Sequence, residues 1–184
     1  MGQTIMPKEQ RIRSSKAPSC DHTSVGMLVW RRGNILLIER KRPPIGIAPP
    51  AGHVDQRPSF KAAAFAELEE EVGLVGQALK LVAEGRKDNP CRRGGTWHHW
   101  EIYDVVASGM VRPSEQEVKK FFWCSRAELR RLKKRTDEFL AGNLSESEWE
   151  RQPGLEPVWC SWFLELGYLT DTDGSSDYGD QFLI

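Results

Sequence analysis

The chain has 184 residues and a mass of 21.0 kDa, enough for one domain with a real hydrophobic core. Its 26 basic and 26 acidic residues balance, so no global basic field argues for nucleic acid as a partner. No apolar run approaches a membrane span, and the N-terminus lacks the apolar segment of a secretory signal; the cytoplasm is the expected compartment.

Residues 1–19 are polar and basic, with Lys8, Arg11, Arg13 and Lys16, and lack apolar periodicity; a disordered tail is expected there. The folded domain is expected over 20–170. The stretch 171–184, rich in Asp, Ser and Gly, reads as a second disordered tail. Within the domain, 25–30 and 35–39 read as strands of a hairpin around Arg32-Gly33-Asn34. Residues 42–51 hold four prolines and read as a stiff loop. A helix is predicted from Ser59, a capping residue, to Val72, with Gly73 as its left-handed stop. Residues 79–84 and 96–106 form a predicted strand pair, 119–124 another strand, and 126–135 a charged helix capped by Ser125, with a further turn at 137–140. Residues 155–169 read as a closing helix with Trp159, Phe163 and Leu166 on one stripe. Strands on both sides of one central helix, with a helix at the end, predict an α/β sandwich. The four cysteines, Cys20, Cys91, Cys124 and Cys160, are scattered without paired spacing, and reduced thiols are expected.

The helix ending at Val72 carries Glu67, Glu69, Glu70 and Glu71. At about 100° per residue, Glu67, Glu70 and Glu71 fall within an arc of about 100°, while Glu69 points away. Ala64, Leu68 and Val72 form the adjoining apolar stripe. Acidic groups in a last turn oppose the helix dipole, and like charges at this spacing repel. Local stability therefore disfavours the arrangement. Read alone, the cluster is either a solvated acidic face or a seat for a hard divalent cation, whose charge removes both penalties.

The register of the segment resembles the signature of the Nudix hydrolase superfamily, Gly-x5-Glu-x7-Arg-Glu-U-x-Glu-Glu-x-Gly-U with U aliphatic. Gly52, Glu67, Leu68, Glu70, Glu71, Gly73 and Leu74 stand in register with it. Pro58 stands where the family has its first glutamate, and Ala66 where it has an arginine that orients the glutamates by ion pairs. The resemblance covers roughly 24–169. It implies a Nudix-like α/β/α sandwich, a mixed sheet flanked by helices. It further implies a metal site of Gly52, Glu67, Glu70 and Glu71 for Mg²⁺, with Mn²⁺ as the alternative. The implied reaction is attack by water at phosphorus in a nucleoside diphosphate linked to another group, with Glu70, Glu71 and Glu117 as the catalytic carboxylates. Glu115 competes with Glu117 for the part of general base. The two departures motivate an alternative, a non-hydrolytic nucleotide-binding or regulatory module on the same fold.

Other residues suit a ligand bearing phosphates and a ring. Arg92, Arg93, Trp97, His98 and Trp100 mix cations with aromatics. By strand alternation His98 and Trp100 share one face and Trp97 and His99 the other, so one tryptophan would stack on a base while its neighbour fills core. Arg40, after the second strand, either faces phosphates or is a solvated edge charge. A zinc site from Cys20-x-His22 with Cys91 and His98 or His99 has suitable ligand types but no signature spacing. The expected partner is a nucleotide-type small molecule, with no membrane. Dimerisation to a homodimer is common enough to expect, though no residue encodes it.

Overall fold

The computed structural model describes residues 19–171. The tails expected at 1–19 and 171–184 lie outside the described residues except for Ser19 and Asp171. Strands β1 (Thr23–Arg31) and β2 (Asn34–Arg40) pair as an antiparallel hairpin. Its turn is Arg32-Gly33, both at positive φ (51° and 79°). That conformation matches the twist of the flanking strands. The proline-rich loop contains two short strands, β3 (Ile47–Ala48) and β4 (Ala51–His53), which pair with β2 and β1. Helix α1 (Phe60–Val72) follows. Then come β5 (Val75–Lys87), β6 (His98–Ser108) and β7 (Val118–Cys124). Three helices close the described chain: α2 (Arg126–Leu140), α3 (Glu146–Arg151) and α4 (Pro157–Glu165).

The sheet is mixed, in the order β3-β2-β1-β6-β5, with β4 hydrogen-bonded to β1 and β7 to β2. Among the described strands β1 and β6 are the one pair that runs parallel, with a single further parallel bridge between Ile47 and Leu155. Alternation sends the side chains of β1 and β2 to two cores. Val25, Met27, Val29, Leu36 and Ile38 pack towards α1, against Ala63, Ala64, Leu68 and Val72. Leu28, Ile35 and Leu37 face the other layer, with Trp159, Trp162 and Phe163 of α4. Both faces are covered, which is why these strands read as nearly continuous apolar runs. The expected α/β/α arrangement is present.

Helix α1 begins where Ser59 Oγ accepts the Ala62 N–H at 3.2 Å. It ends at Gly73, at φ 68°, whose N–H reaches the Glu69 carbonyl at 2.9 Å. The closing helix is shorter than 155–169. Gly154 and Glu156 are held to Ile47 by backbone hydrogen bonds of 2.9 Å each. The helix then starts at Pro157, whose fixed φ and missing N–H suit a first helical position. Helix α3 was not expected, although Ser145 and Glu148 form a capping box that its Ser-x-x-Glu spacing spells out.

Trp159 is fully buried, edge-on to Trp100 at 5.6 Å between ring centroids. Gly26 makes this possible, because a Cβ there would stand 2.3 Å from the Trp159 ring. Trp159→Ala should therefore lower unfolding free energy by about 3–5 kcal/mol, read from the urea midpoint at unchanged slope.

Candidate active site

Strand β4 and helix α1 meet at the centre of the site. The Ala51 N–H donates to Glu71 Oε2 at 2.8 Å. Gly52 lies directly under Glu67; a Cβ there would fall 2.2 Å from that carboxylate. Any side chain at 52 would force the two elements apart. Pairing of Val25 with Gly52 and Gly26 with Ala51 ties β4 to β1, so the sheet sets where the carboxylates meet the loop.

The three glutamates converge as the helical arc predicts, but to different depths. Glu71 is buried and Glu67 nearly so, whereas the Glu70 side chain is 61% exposed. Burial pushes Glu71 up to about 8, against the pull of Arg40 and the Ala51 N–H. Burial also raises Glu67, to about 7, against Arg57. Glu69 is exposed.

Arg57 fills the vacancy left by the alanine at 66. Its guanidinium pairs with Glu67 at 3.0 Å and Glu70 at 2.8 Å. A planar fork of donors is well suited to fixing two carboxylates at once. Composition alone does not single out Arg57; the unmatched Ala66 was the signal to look for a substitute cation nearby.

The cleft above these groups has a volume of about 260 Å³. Arg40, Arg92, Arg93 and Glu117 line it together with the three glutamates. Glu117 carries an ion pair with Arg42 at 3.9 Å, and it is near enough to raise the pKa of both Glu67 and Glu71. Arg93 is held by an ion pair to Asp55, and Arg40 by Glu156 at 3.9 Å. Asp55 and His53, also on the cleft wall, were not expected there. The aromatics are placed otherwise. Trp97 stacks on His22 at 4.5 Å and carries the Arg86 guanidinium on its ring at 4.4 Å, away from the cleft lining. His98 and Trp100 are almost fully buried and line a narrow recess behind His53.

A converging set of carboxylates, two of them destabilised as anions by burial, fits a hard dication that prefers oxygen ligands. Among the described residues no helix is long and apolar enough to cross a membrane.

The NUDIX domain family model matches residues 21–142. Among solved structures the fold is similar to a MutT NUDIX hydrolase from Burkholderia pseudomallei, at 27% identity and TM-score 0.51, covering 58% of this chain and 84% of that one. It is also similar to a NUDIX hydrolase from Nitrosomonas europaea, at 19% identity and TM-score 0.53, covering 84% and 99%. A third similar structure is the NUDIX domain of Shewanella oneidensis NrtR in complex with ADP ribose, at 15% identity and TM-score 0.50, covering 65% and 80%. No curated protein matches the chain.

The raised carboxyl groups set a direction for stability against pH. Both titrate near 4.5 when unfolded, and at about 7 and 8 in the fold. Between these values the folded chain binds more protons at these two groups, so the stability they contribute is fully present below about 4.5 and is lost as pH rises through 7 and 8. In a chelator the melting temperature should decline from about pH 6.5 to 8, above the range in which the lowered pKa values of His53 and His98 act in the opposite direction. Glu71→Gln should flatten that decline; an equally steep decline in the variant would contradict the assignment.

Proposed function

This chain belongs to the NUDIX family, and we propose that it is a Mg²⁺-dependent hydrolase of the pyrophosphate linkage in a nucleoside diphosphate joined to another group. The observation that carries the reading is the convergence of Glu67, Glu70 and Glu71 on one cleft whose wall also bears Arg40, Arg92 and Arg93. Carboxylates at the floor and guanidinium groups on the wall suit a divalent cation and the phosphates of a nucleotide. Glu67, Glu70 and Glu71 would hold the cation, and Gly52 would let the backbone approach it. When bound, the dication neutralises phosphate charge and favours attack by water at phosphorus; Mn²⁺ is the alternative ion.

The chain's own residues do the rest. Arg57 holds Glu67 and Glu70 at a fixed separation, the part that an arginine at position 66 plays in the family signature. Arg40, Arg92 and Arg93 bind and orient the phosphates, and Arg93 is steered by Asp55. Glu117 takes a proton from the attacking water. It is preferred over Glu115 because Glu117 lines the cleft, whereas the Glu115 carbonyl receives the Lys41 ammonium at 2.5 Å outside it. A cytoplasmic location is part of this proposal, supported by the four free cysteines.

Glu70→Gln and Glu71→Gln are each expected to lower Mg²⁺-dependent turnover on a panel of nucleoside diphosphate derivatives by at least about 100-fold, the lower end of one general-base or electrostatic contribution. Retention of wild-type turnover by both would sink the mechanism. Nucleotide binding without any product would favour the regulatory module instead. Arg57→Ala should lower kcat by about 10-fold or more with Lys restoring part of it, the pattern of a positioning cation; unchanged kcat in Arg57→Ala would remove it from the machinery.

A further inference from the structure

Four metal-ligand side chains meet beside the carboxylate cleft, and the hydrolase reading uses none of them. Cys20 precedes β1, His53 ends β4, Cys91 lies in the loop between β5 and β6, and His98 opens β6. One ligand atom from each lies within 4.8 Å of all the others. We propose that Cys20, His53, Cys91 and His98 form a structural Zn²⁺ site that clips the mouth of the cleft together.

Two thiolates and two imidazoles form a tetrahedral set suited to zinc. With usual bond lengths, a tetrahedral site has sulfur–nitrogen edges of about 3.6 Å. Cys20 Sγ is 3.6 Å from His53 Nε2 and 3.1 Å from His98 Nε2. These two edges are therefore near ligation distances, and every other pair of ligand atoms lies within 4.8 Å. Four protein ligands leave no open position for a substrate or water, the mark of a structural zinc rather than a catalytic one.

The surroundings orient the ligands. The Trp100 indole N–H, which can only donate, reaches Asn89 Oδ1 at 3.2 Å. That oxygen is thereby fixed as an acceptor, and His98 Nδ1 lies 3.2 Å from it. His98 must then carry its proton on Nδ1 and turn the Nε2 lone pair towards the sulfurs. Such an outer hydrogen bond fixes the tautomer of a metal-bound imidazole. The His22 N–H points at Cys20 Sγ from 3.3 Å and stabilises a thiolate there. His22 is not one of the four: its Nδ1 is engaged by the Trp97 carbonyl at 2.8 Å, and His53 stands in the place that the ligand types in the sequence gave to His22. Gly95 makes the room, since a Cβ there would stand 2.4 Å from Cys20 Sγ and 3.2 Å from Cys91 Sγ.

Topology explains why residues so distant in sequence meet. The parallel pairing of β1 with β6 brings their N-terminal ends together, with Thr23 opposite His99. The antiparallel pairing of β4 with β1 returns His53 to the same end, opposite Ser24. Zinc would thus join His53, next to Gly52 of the metal loop, to the loop carrying Arg92 and Arg93. The site is separate from the carboxylate cluster and stands or falls without the hydrolase reading.

The test is metal content of full-length protein purified with reductant throughout, then given Zn²⁺ and passed through gel filtration. About one zinc per chain is expected, lost in Cys20→Ser and in Cys91→Ser and kept in Glu70→Gln/Glu71→Gln. The wild-type chain needs no variant to fold: replacing its zinc with Co²⁺ should give the visible bands of tetrahedral cobalt with thiolate charge transfer, and zinc should shield Cys20 and Cys91 from alkylation. No zinc after gel filtration, or zinc lost with the glutamates and kept without the cysteines, would overturn the proposal. So would a Cys20–Cys91 disulfide in the reductant-purified protein.

Discussion

The fold and its cleft depend on one close contact, that of the β4 backbone with the last two turns of α1. A strand and a helix usually keep their distance because side chains intervene. Here Gly52 supplies none, and the carboxylate of Glu67 occupies the space that a Cβ would need. One residue earlier, the Ala51 amide is committed to Glu71. The helix is thus fastened to the sheet on its polar edge as well as through the apolar stripe of Ala64, Leu68 and Val72. Fastening both edges fixes its rotation, and rotation decides which glutamates enter the cleft and which, like Glu69, stay in water.

That arrangement has a cost. Burying carboxylates beside one another disfavours their charged forms, which is why Glu67 and Glu71 hold protons far above the ordinary carboxylate range. Local sequence would relieve the strain by fraying the helix end. The sheet prevents this by holding the loop over it, and Arg57 offsets part of the repulsion from the solvent side. Arg57 lies on the loop between β4 and α1, whereas position 66 is within the helix. The same electrostatic need is therefore met from a different element, and the departures at Pro58 and Ala66 do not leave the glutamates unsupported.

The loop bearing Arg92 and Arg93 is tied to the cleft by the ion pair of Arg93 with Asp55, and the Cys20, His53, Cys91 and His98 cluster lies beside it. His98 and Trp100 do their work inside this support. Their hydrogen bonds converge on Asn89, a residue that no motif marks. Aromatic and basic residues in one segment suggested a ligand surface. The structure divides them, with guanidinium groups outward on the cleft and the rings of His98 and Trp100 inward.

Much was legible in the sequence because it is local. Binary patterning exposed β1, β2 and β7, a serine and a glycine bounded α1, and helical periodicity separated Glu69 from the three converging glutamates. The register of Gly52 through Leu74 identified the family, since fixed spacing along one loop and one helix survives without any tertiary information. The closing helix was overextended because Gly154 and Glu156 are claimed by Ile47, a partner more than a hundred positions away. Arg57, Asp55 and the exchange of His22 for His53 in the cysteine–histidine cluster were hidden for the same reason. Which cation faces which carboxylate, and which histidine turns towards which thiol, depends on strand register and direction, above all on β1 running parallel to β6. Pairings of that range are set by the packing of the whole sheet, so chain order could supply the ligand types but only the tertiary structure decided which of them meet.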